Sequence, residues 1–114
     1  MTDCLFCKIV AGQIPARVVY QDDRILAFDD IRPQAPTHTL IIPKTHYASL
    51  NEVPAEAADV LAHILFKARD IAAAKGIAQT GYRVVLNTAR DSGQEVLHIH
   101  FHILGGRRMT WPPG

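Results

Sequence analysis

The segment His98-Ile99-His100-Phe101-His102 sets three imidazoles at period two, just ahead of the pair Gly105-Gly106. On a strand, alternate residues face opposite sides, so the three rings share one face while Ile99, Phe101 and Ile103 turn towards a core. Residues two apart on such a face lie roughly 6.5–7 Å apart at Cα, close enough for the rings to converge on one metal ion or one phosphate. Imidazoles are good zinc ligands, although Glu95 is the only other donor in this segment. A histidine nucleophile or acid–base group is the favoured reading of the pattern. The neutral ring is abundant near pH 7, and its second nitrogen must donate to an acceptor, for which a backbone carbonyl is nearest. Neighbouring histidines could then carry charge or donate to a phosphoryl group, a division of labour suited to nucleotidyl transfer through a covalent intermediate. Simple packing is the third reading, and the segment alone leaves all three open.

Two further features could do chemistry. Ser92-Gly93-Gln94 offers a hydroxyl, an amide and a flexible backbone just before the histidines, which fits an anion site or an ordinary turn. Neither a P-loop nor a dinucleotide-binding glycine motif occurs. Cys4 and Cys7, in Cys4-Leu5-Phe6-Cys7, are the only cysteines and too sparse for a disulfide scaffold. His63 falls on the flank of a helix and reads as a surface or boundary histidine.

The elements that must position these groups are legible. Arg17-Val18-Val19-Tyr20, Ile25-Leu26-Ala27-Phe28 and Thr39-Leu40-Ile41-Ile42 have strand character, with a hairpin turn at Asp22-Asp23 and a proline-containing loop over residues 30–37. Ala57, Val60, Leu61, Ile64, Leu65, Ala68, Ile71 and Ala72 recur at helical spacing, predicting one long helix over residues 55–75 between Pro54 and Gly76. Tyr82-Arg83-Val84-Val85-Leu86 predicts another strand, and residues 95–104 the strand carrying the histidines. One helix on an antiparallel sheet of four or five strands makes an α+β domain, expected to be single over residues 1–114 with a C-terminal tail at 105–114. A small sheet with free edges favours a homodimer. The net charge of +1 comes from 12 basic and 11 acidic residues without a basic run, which argues against a nucleic-acid partner. No stretch has the composition of a signal peptide or a membrane span, so a cytoplasmic location and no membrane association are expected.

Several motifs together resemble the histidine triad (HIT) proteins of the Hint branch, the nucleoside phosphoramidases. They are Asp29-Asp30-Ile31-Arg32-Pro33-Gln34-Ala35-Pro36-Thr37-His38, Ile42-Pro43-Lys44-Thr45-His46, Asn87, Gly93-Gln94-Glu95-Val96 and the histidines themselves. The endings Leu104-Gly105-Gly106-Arg107 and Trp111-Pro112-Pro113-Gly114 complete the pattern, which covers nearly the whole chain.

The resemblance implies a HIT-like fold: about five antiparallel strands, one long helix and a short N-terminal helix, pairing as a homodimer into one sheet of about ten strands. It implies hydrolysis of the P–N bond of purine nucleoside 5'-phosphoramidates, with His100 as the nucleophile and a nucleotidyl-histidine intermediate. His102 would bond the phosphate, and His38 and His98 would complete the histidine cluster. Asn87, Gly93 and Val96 would line the phosphate side. Phe28, Ile31 and Asp30 would form the nucleoside pocket, with Asp30 accepting from the ribose hydroxyls. Trp111 would reach the partner subunit's site.

The animal members carry a serine where Glu95 stands. A carboxylate repels a phosphate, so Glu95 is left out of the phosphate clamp, and it could instead favour a cationic amine leaving group. Bacterial members with an N-terminal Cys-x-x-Cys imply a structural zinc, here on Cys4, Cys7, His46 and His98, which would stabilise the fold rather than activate the nucleophile. The alternative is a pair of reduced thiols packed in a short helical turn. No organic cofactor is expected. Rival functions are a dinucleoside polyphosphate hydrolase using the same His100, a nucleotide-binding regulatory protein with incidental activity, and a metal-dependent hydrolase.

Overall fold

Apolar alternation places the sheet between two covers, as seen in the computed structural model, which describes residues 3–114. The strands are β1 (Arg17–Gln21), β2 (Ile25–Asp29), β3 (Thr37–Pro43), β4 (Tyr82–Leu86) and β5 (Phe101–Gly105), in the order β1-β2-β3-β5-β4. All neighbours pair antiparallel. Among the described residues the α-helices are α1 (Leu5–Val10) and α2 (Ala58–Ala74). The fold is therefore α+β, with a five-stranded antiparallel sheet, one long helix and one short one.

The central strands are apolar on both sides because both sides are covered. Ile25 and Ala27 of β2, Ile41 of β3, and Ile99, Phe101 and Ile103 pack with Ile64, Ala68, Ile71 and Ala72 of α2. These helix positions recur every three or four residues, as a single buried stripe requires. On the other face Leu26, Phe28, Leu40 and Ile42 pack against Phe6 of α1. The histidine face belongs to this second side.

The Asp22-Asp23 turn forms as expected, with the Asp22 carboxylate accepting from the backbone N–H groups of Arg24 and Ile25 at 2.8 and 2.9 Å. The helix begins later than its sequence pattern, because residues Ala55–Ala57 make a separate 3-10 turn after Pro54. The last strand is also shorter than expected. The ladder stops at Phe101, opposite Ile41 on one side and Leu86 on the other. Beyond that point the Ile99 N–H turns to the Tyr47 carbonyl at 2.7 Å, and Pro43 on the neighbouring strand has no N–H to offer. Ile99, Phe101 and Ile103 nonetheless keep the core side, so the alternation survives where the ladder does not.

Gly105 closes β5 beneath Ile77, where a Cβ would lie 2.5 Å from the isoleucine Cδ1. Gly106 follows with φ +90, pressed against Pro36, so the pair packs and turns where a larger residue would clash. Among the described residues no helix is long and apolar enough to cross a membrane.

Candidate active site and metal centre

The register of β3 and β5 sets the central pair of rings. Leu40 lies opposite His102 and His38 opposite Leu104, so His38 and His102 are diagonal neighbours on one face. Their rings meet at 2.8 Å, His38 Nε2 to His102 Nδ1. The Gln34 backbone N–H donates to His38 Nδ1 at 3.0 Å. A neutral His38 must then carry its proton on Nε2 and donate it to His102 Nδ1, which leaves the His102 proton on Nε2. His100 is fixed independently. Its Nδ1 lies 2.8 Å from the His98 carbonyl, which can only accept, so Nδ1 holds the proton and Nε2 keeps a lone pair.

Burial keeps these rings neutral. It pushes the pKa values of His38, His98 and His100 below 6.5. Burial, reinforced by the neighbouring His100 and His38, pushes His102 down to about 4. Asp30 opposes the shift at His38, where its Oδ2 lies 3.6 Å from Nε2, but does not overcome desolvation. The site thus presents one basic nitrogen and, next to it, one N–H donor.

His100 and His102 border a cavity of about 410 Å³, large enough for a ligand of nucleotide size. Phe28, Asp30, Ile31, Asn87, Gly93 and Val96 all line it. Leu5, Phe6 and Ile9 of α1 close one wall, and Glu95 stands at the rim with its carboxylate exposed. The side chains of the Ser92-Gly93-Gln94 turn are engaged within the protein rather than offered to an anion. The Gln94 amide donates to the Ala48 and Val96 carbonyls at 2.7 and 3.0 Å and accepts from the Ala89 N–H at 2.8 Å. The Ser92 hydroxyl donates to the Ala89 carbonyl at 2.7 Å. Ala89 itself has φ +66 and ψ −174, a backbone conformation that strains any residue but glycine.

His98 leaves the histidine group. Its Nε2 donates to the Pro43 carbonyl at 2.8 Å, which turns the Nδ1 lone pair towards Cys4, Cys7 and His46. Both sulfurs and both Nδ1 atoms lie within 4.8 Å of one another. The separations are 3.3 Å from Cys4 Sγ to His98 Nδ1, 3.3 Å from Cys7 Sγ to His46 Nδ1, and 3.2 Å between the two Nδ1 atoms. A tetrahedral zinc with ordinary bond lengths sets such S···N and N···N edges at about 3.6 and 3.3 Å, so the donor set fits the ion. Burial, followed by the Cys4 sulfur, pushes the Cys7 thiol up, a cost that a dication would reverse.

The strand histidines therefore do not converge as one ligand set; they divide between two sites on the same face. The described residues contain one other possible ligand trio, Asp30, His38 and His102. The hydrogen bonds at both His38 nitrogens already give this trio a different use. His63 is a satisfied boundary residue, its Nε2 2.6 Å from Asp22 Oδ2. Trp111 is 81% exposed and takes no part in this chain's cavity. Sequence reasoning missed the α1 wall. Its one signal was that Leu5 and Phe6 lie between two candidate ligands, so any ion holding the cysteines also holds them.

The profile of the HIT domain matches residues 11–109. A purine nucleoside phosphoramidase of Escherichia coli K12 is 50% identical over 105 residues, covering 92% of this chain and 88% of the relative. The crystal structure of a HIT family hydrolase from Legionella pneumophila Philadelphia 1 superposes with a TM-score of 0.96 at 59% identity, covering 98% of this chain and all of the other. A histidine triad protein from Clostridium difficile gives a TM-score of 0.93 at 49% identity, with 96% of each chain covered.

Proposed function

This chain belongs to the HIT domain family, and on that premise we propose that it hydrolyses the P–N bond of purine nucleoside 5'-phosphoramidates through a nucleotidyl intermediate on His100. The observation that carries the reading is the His100 Nδ1–H bond to the His98 carbonyl, which leaves Nε2 unprotonated at the cavity wall.

In the proposed reaction the Nε2 lone pair attacks phosphorus. The P–N bond breaks as the leaving nitrogen takes up a proton from solvent and departs as an amine. The phosphorylated ring is cationic, and the His98 carbonyl that holds its Nδ1–H stabilises that charge. His102 Nε2–H donates to a phosphoryl oxygen, its tautomer set through His38. Water then attacks phosphorus and releases a proton to solvent, the P–Nε2 bond breaks, and the nucleoside monophosphate leaves with His100 in its starting form. Asn87, Gly93 and Val96 flank the phosphate. Phe28, Ile31 and Asp30 form the nucleoside pocket, in which the Asp30 carboxylate accepts from the ribose hydroxyls.

Cys4, Cys7, His46 and His98 hold a structural zinc, which neutralises the sulfurs and ties α1 to the sheet. The domain spans residues 1–114 and works as a cytoplasmic homodimer, where the thiols stay reduced. Exposed Leu65 and Phe66 on α2, and Val84 on the unpaired edge of β4, support self-association. Trp111 in the tail then reaches the partner's cavity.

The test is turnover of adenosine 5'-phosphoramidate by the wild type and by His100→Ala, with thermal unfolding followed on both. The expected loss in the folded variant is at least about 10³-fold, with a phosphorus-bearing histidine trapped only in the wild type. Retained turnover in folded His100→Ala would overturn the mechanism, and faster turnover of a dinucleoside polyphosphate would overturn the substrate class.

A further inference from the structure

The first turn of α1 touches both the candidate ligand cluster and the His100 ring. Phe6 lies between Cys4 and Cys7 and is 4% exposed. Its ring stands edge-to-face with His100, centroids 5.1 Å apart at 87°, and with His98 at 5.9 Å and 70°. Phe28 supports it from behind at 5.5 Å and 74°. The Nδ1–H bond to the His98 carbonyl sets the tautomer of His100, and two rings restrain rocking about it: His102, edge-to-face at 5.0 Å and 63°, and Phe6. Of these two, Phe6 lies on α1 and lines the cavity together with His100 and His102.

The hydrogen bond and the Phe6 contact lead back to the same four ligands. His98 supplies the carbonyl from its backbone and a donor from its ring. α1 has only 6 residues, too few to persist by itself, and its cysteines reach His46 and His98 across the fold. Whatever holds Cys4 and Cys7 therefore also holds Phe6 against the nucleophile.

We infer that Phe6 is a positioning residue that locks the His100 imidazole with Nε2 facing the cavity, and that the Cys4/Cys7/His46/His98 cluster holds this lock in place. The inference rests on the His100 chemistry proposed above, and goes beyond it by giving the cluster an effect on the reaction through contact alone. No proton or electron passes through the cluster.

The experiment compares the wild type with Phe6→Leu, which keeps apolar volume and loses the ring. Three quantities are read on the full chain: the His100 imidazole NMR signals, the first-turnover rate on adenosine 5'-phosphoramidate, and the Kd for AMP. Misaiming a nucleophile by a fraction of an ångström costs about tenfold or more in rate. Phe6→Leu is expected to slow the first turnover by about tenfold and to broaden or split the His100 signals, while Kd changes by less than about threefold. Chelating the metal from the wild type is expected to reproduce the signal change and to add nothing in Phe6→Leu, because the two perturbations release the same contact.

Unaltered His100 signals in Phe6→Leu would overturn the lock. A loss carried entirely by Kd would make Phe6 part of a binding wall only, and additive effects of chelation would disconnect it from the cluster. Should Phe6→Leu not fold, Phe6→Tyr retains the ring and must give the wild-type His100 signals before chelation and the wild-type change in them after it; any other result would overturn the lock. The ring signals report orientation whatever the substrate, so a failure of the phosphoramidase reading is distinguished by turnover in folded His100→Ala.

Discussion

Replacing His38 by phenylalanine tests the chain of tautomers directly. His38 is 6% exposed, so the new ring fills much of the same space. The change removes the Nε2–H that meets His102 Nδ1 at 2.8 Å, and the Nδ1 that receives the Gln34 N–H at 3.0 Å. Gln34 is exposed, so water can take over its amide; His102 is partly enclosed and loses the donor that His38 supplies. An orphaned acceptor of this kind costs about 1–3 kcal/mol. At 1.4 kcal/mol per tenfold, that corresponds to about 5- to 150-fold in kcat/KM when the His102 bond to phosphate tightens in the transition state. Charge does not explain the loss. The chief cause of the low His102 pKa of about 4 is burial, and His38 is a lesser one, so the ring stays neutral at pH 7 without it. The assay is kcat/KM on a phosphoramidate, with the tautomer of His102 read from its ring nitrogen shifts. His38→Gln, which keeps a donor and an acceptor on one amide, is expected to recover part of the rate. A folded His38→Phe with kcat/KM within twofold of the wild type would refute the reasoning.

The remaining expectations are independent of one another. Because burial pushes His100 below 6.5 and attack needs the neutral ring, kcat/KM should rise with pH along a limb whose midpoint lies under 6.5 and stay level through neutrality; a midpoint above that value would contradict the shift. Burial pushes the Asp22 carboxyl up, but His63, the Arg24 and Ile25 N–H groups and Tyr20 outweigh it and hold it well below the usual range. A depressed carboxyl lends stability above its unfolded value near 3.9 and loses it as pH falls through the folded one, so Asp22→Asn should cost about 1–3 kcal/mol at pH 7 and much less near pH 2, as read by urea unfolding. Ala89→Gly should stabilise by about 1 kcal/mol in the same assay, since glycine relieves the positive φ at the cost of some chain entropy. Glu95→Gln should lower the preference for an amine leaving group with a distal cation over a neutral amine of equal length by about threefold, an effect that salt should weaken in the wild type.

Much of the site was legible because its signals are local. Period-two histidines put His100 and His102 on one face, the proline loop and the Asp22 turn marked the connections, and the apolar stripe marked α2. Those patterns depend on residues a few positions apart, where backbone geometry translates spacing into direction. The boundaries were less legible, because they depend on neighbours. The last strand begins only at Phe101 because Pro43 and the Tyr47 carbonyl lie beside the residues before it. The Ser92-Gly93-Gln94 turn looked open to an anion because its partners, Ala48 and Ala89, are set by the loop's closure.

By itself the sequence determined the α+β class, the reactive face and, through joined motifs, the family. Which nitrogen of each histidine holds the proton was decided only by tertiary structure, because that depends on contacts between residues as remote as His38 and His102. The same is true of His98, whose ring turns to cysteines at the other end of the chain while its carbonyl serves His100. Phe6 carries no motif, and acquires its place against His100 because two flanking cysteines are drawn across the sheet. Period and composition record which way a side chain points; only the packed chain records what it meets there.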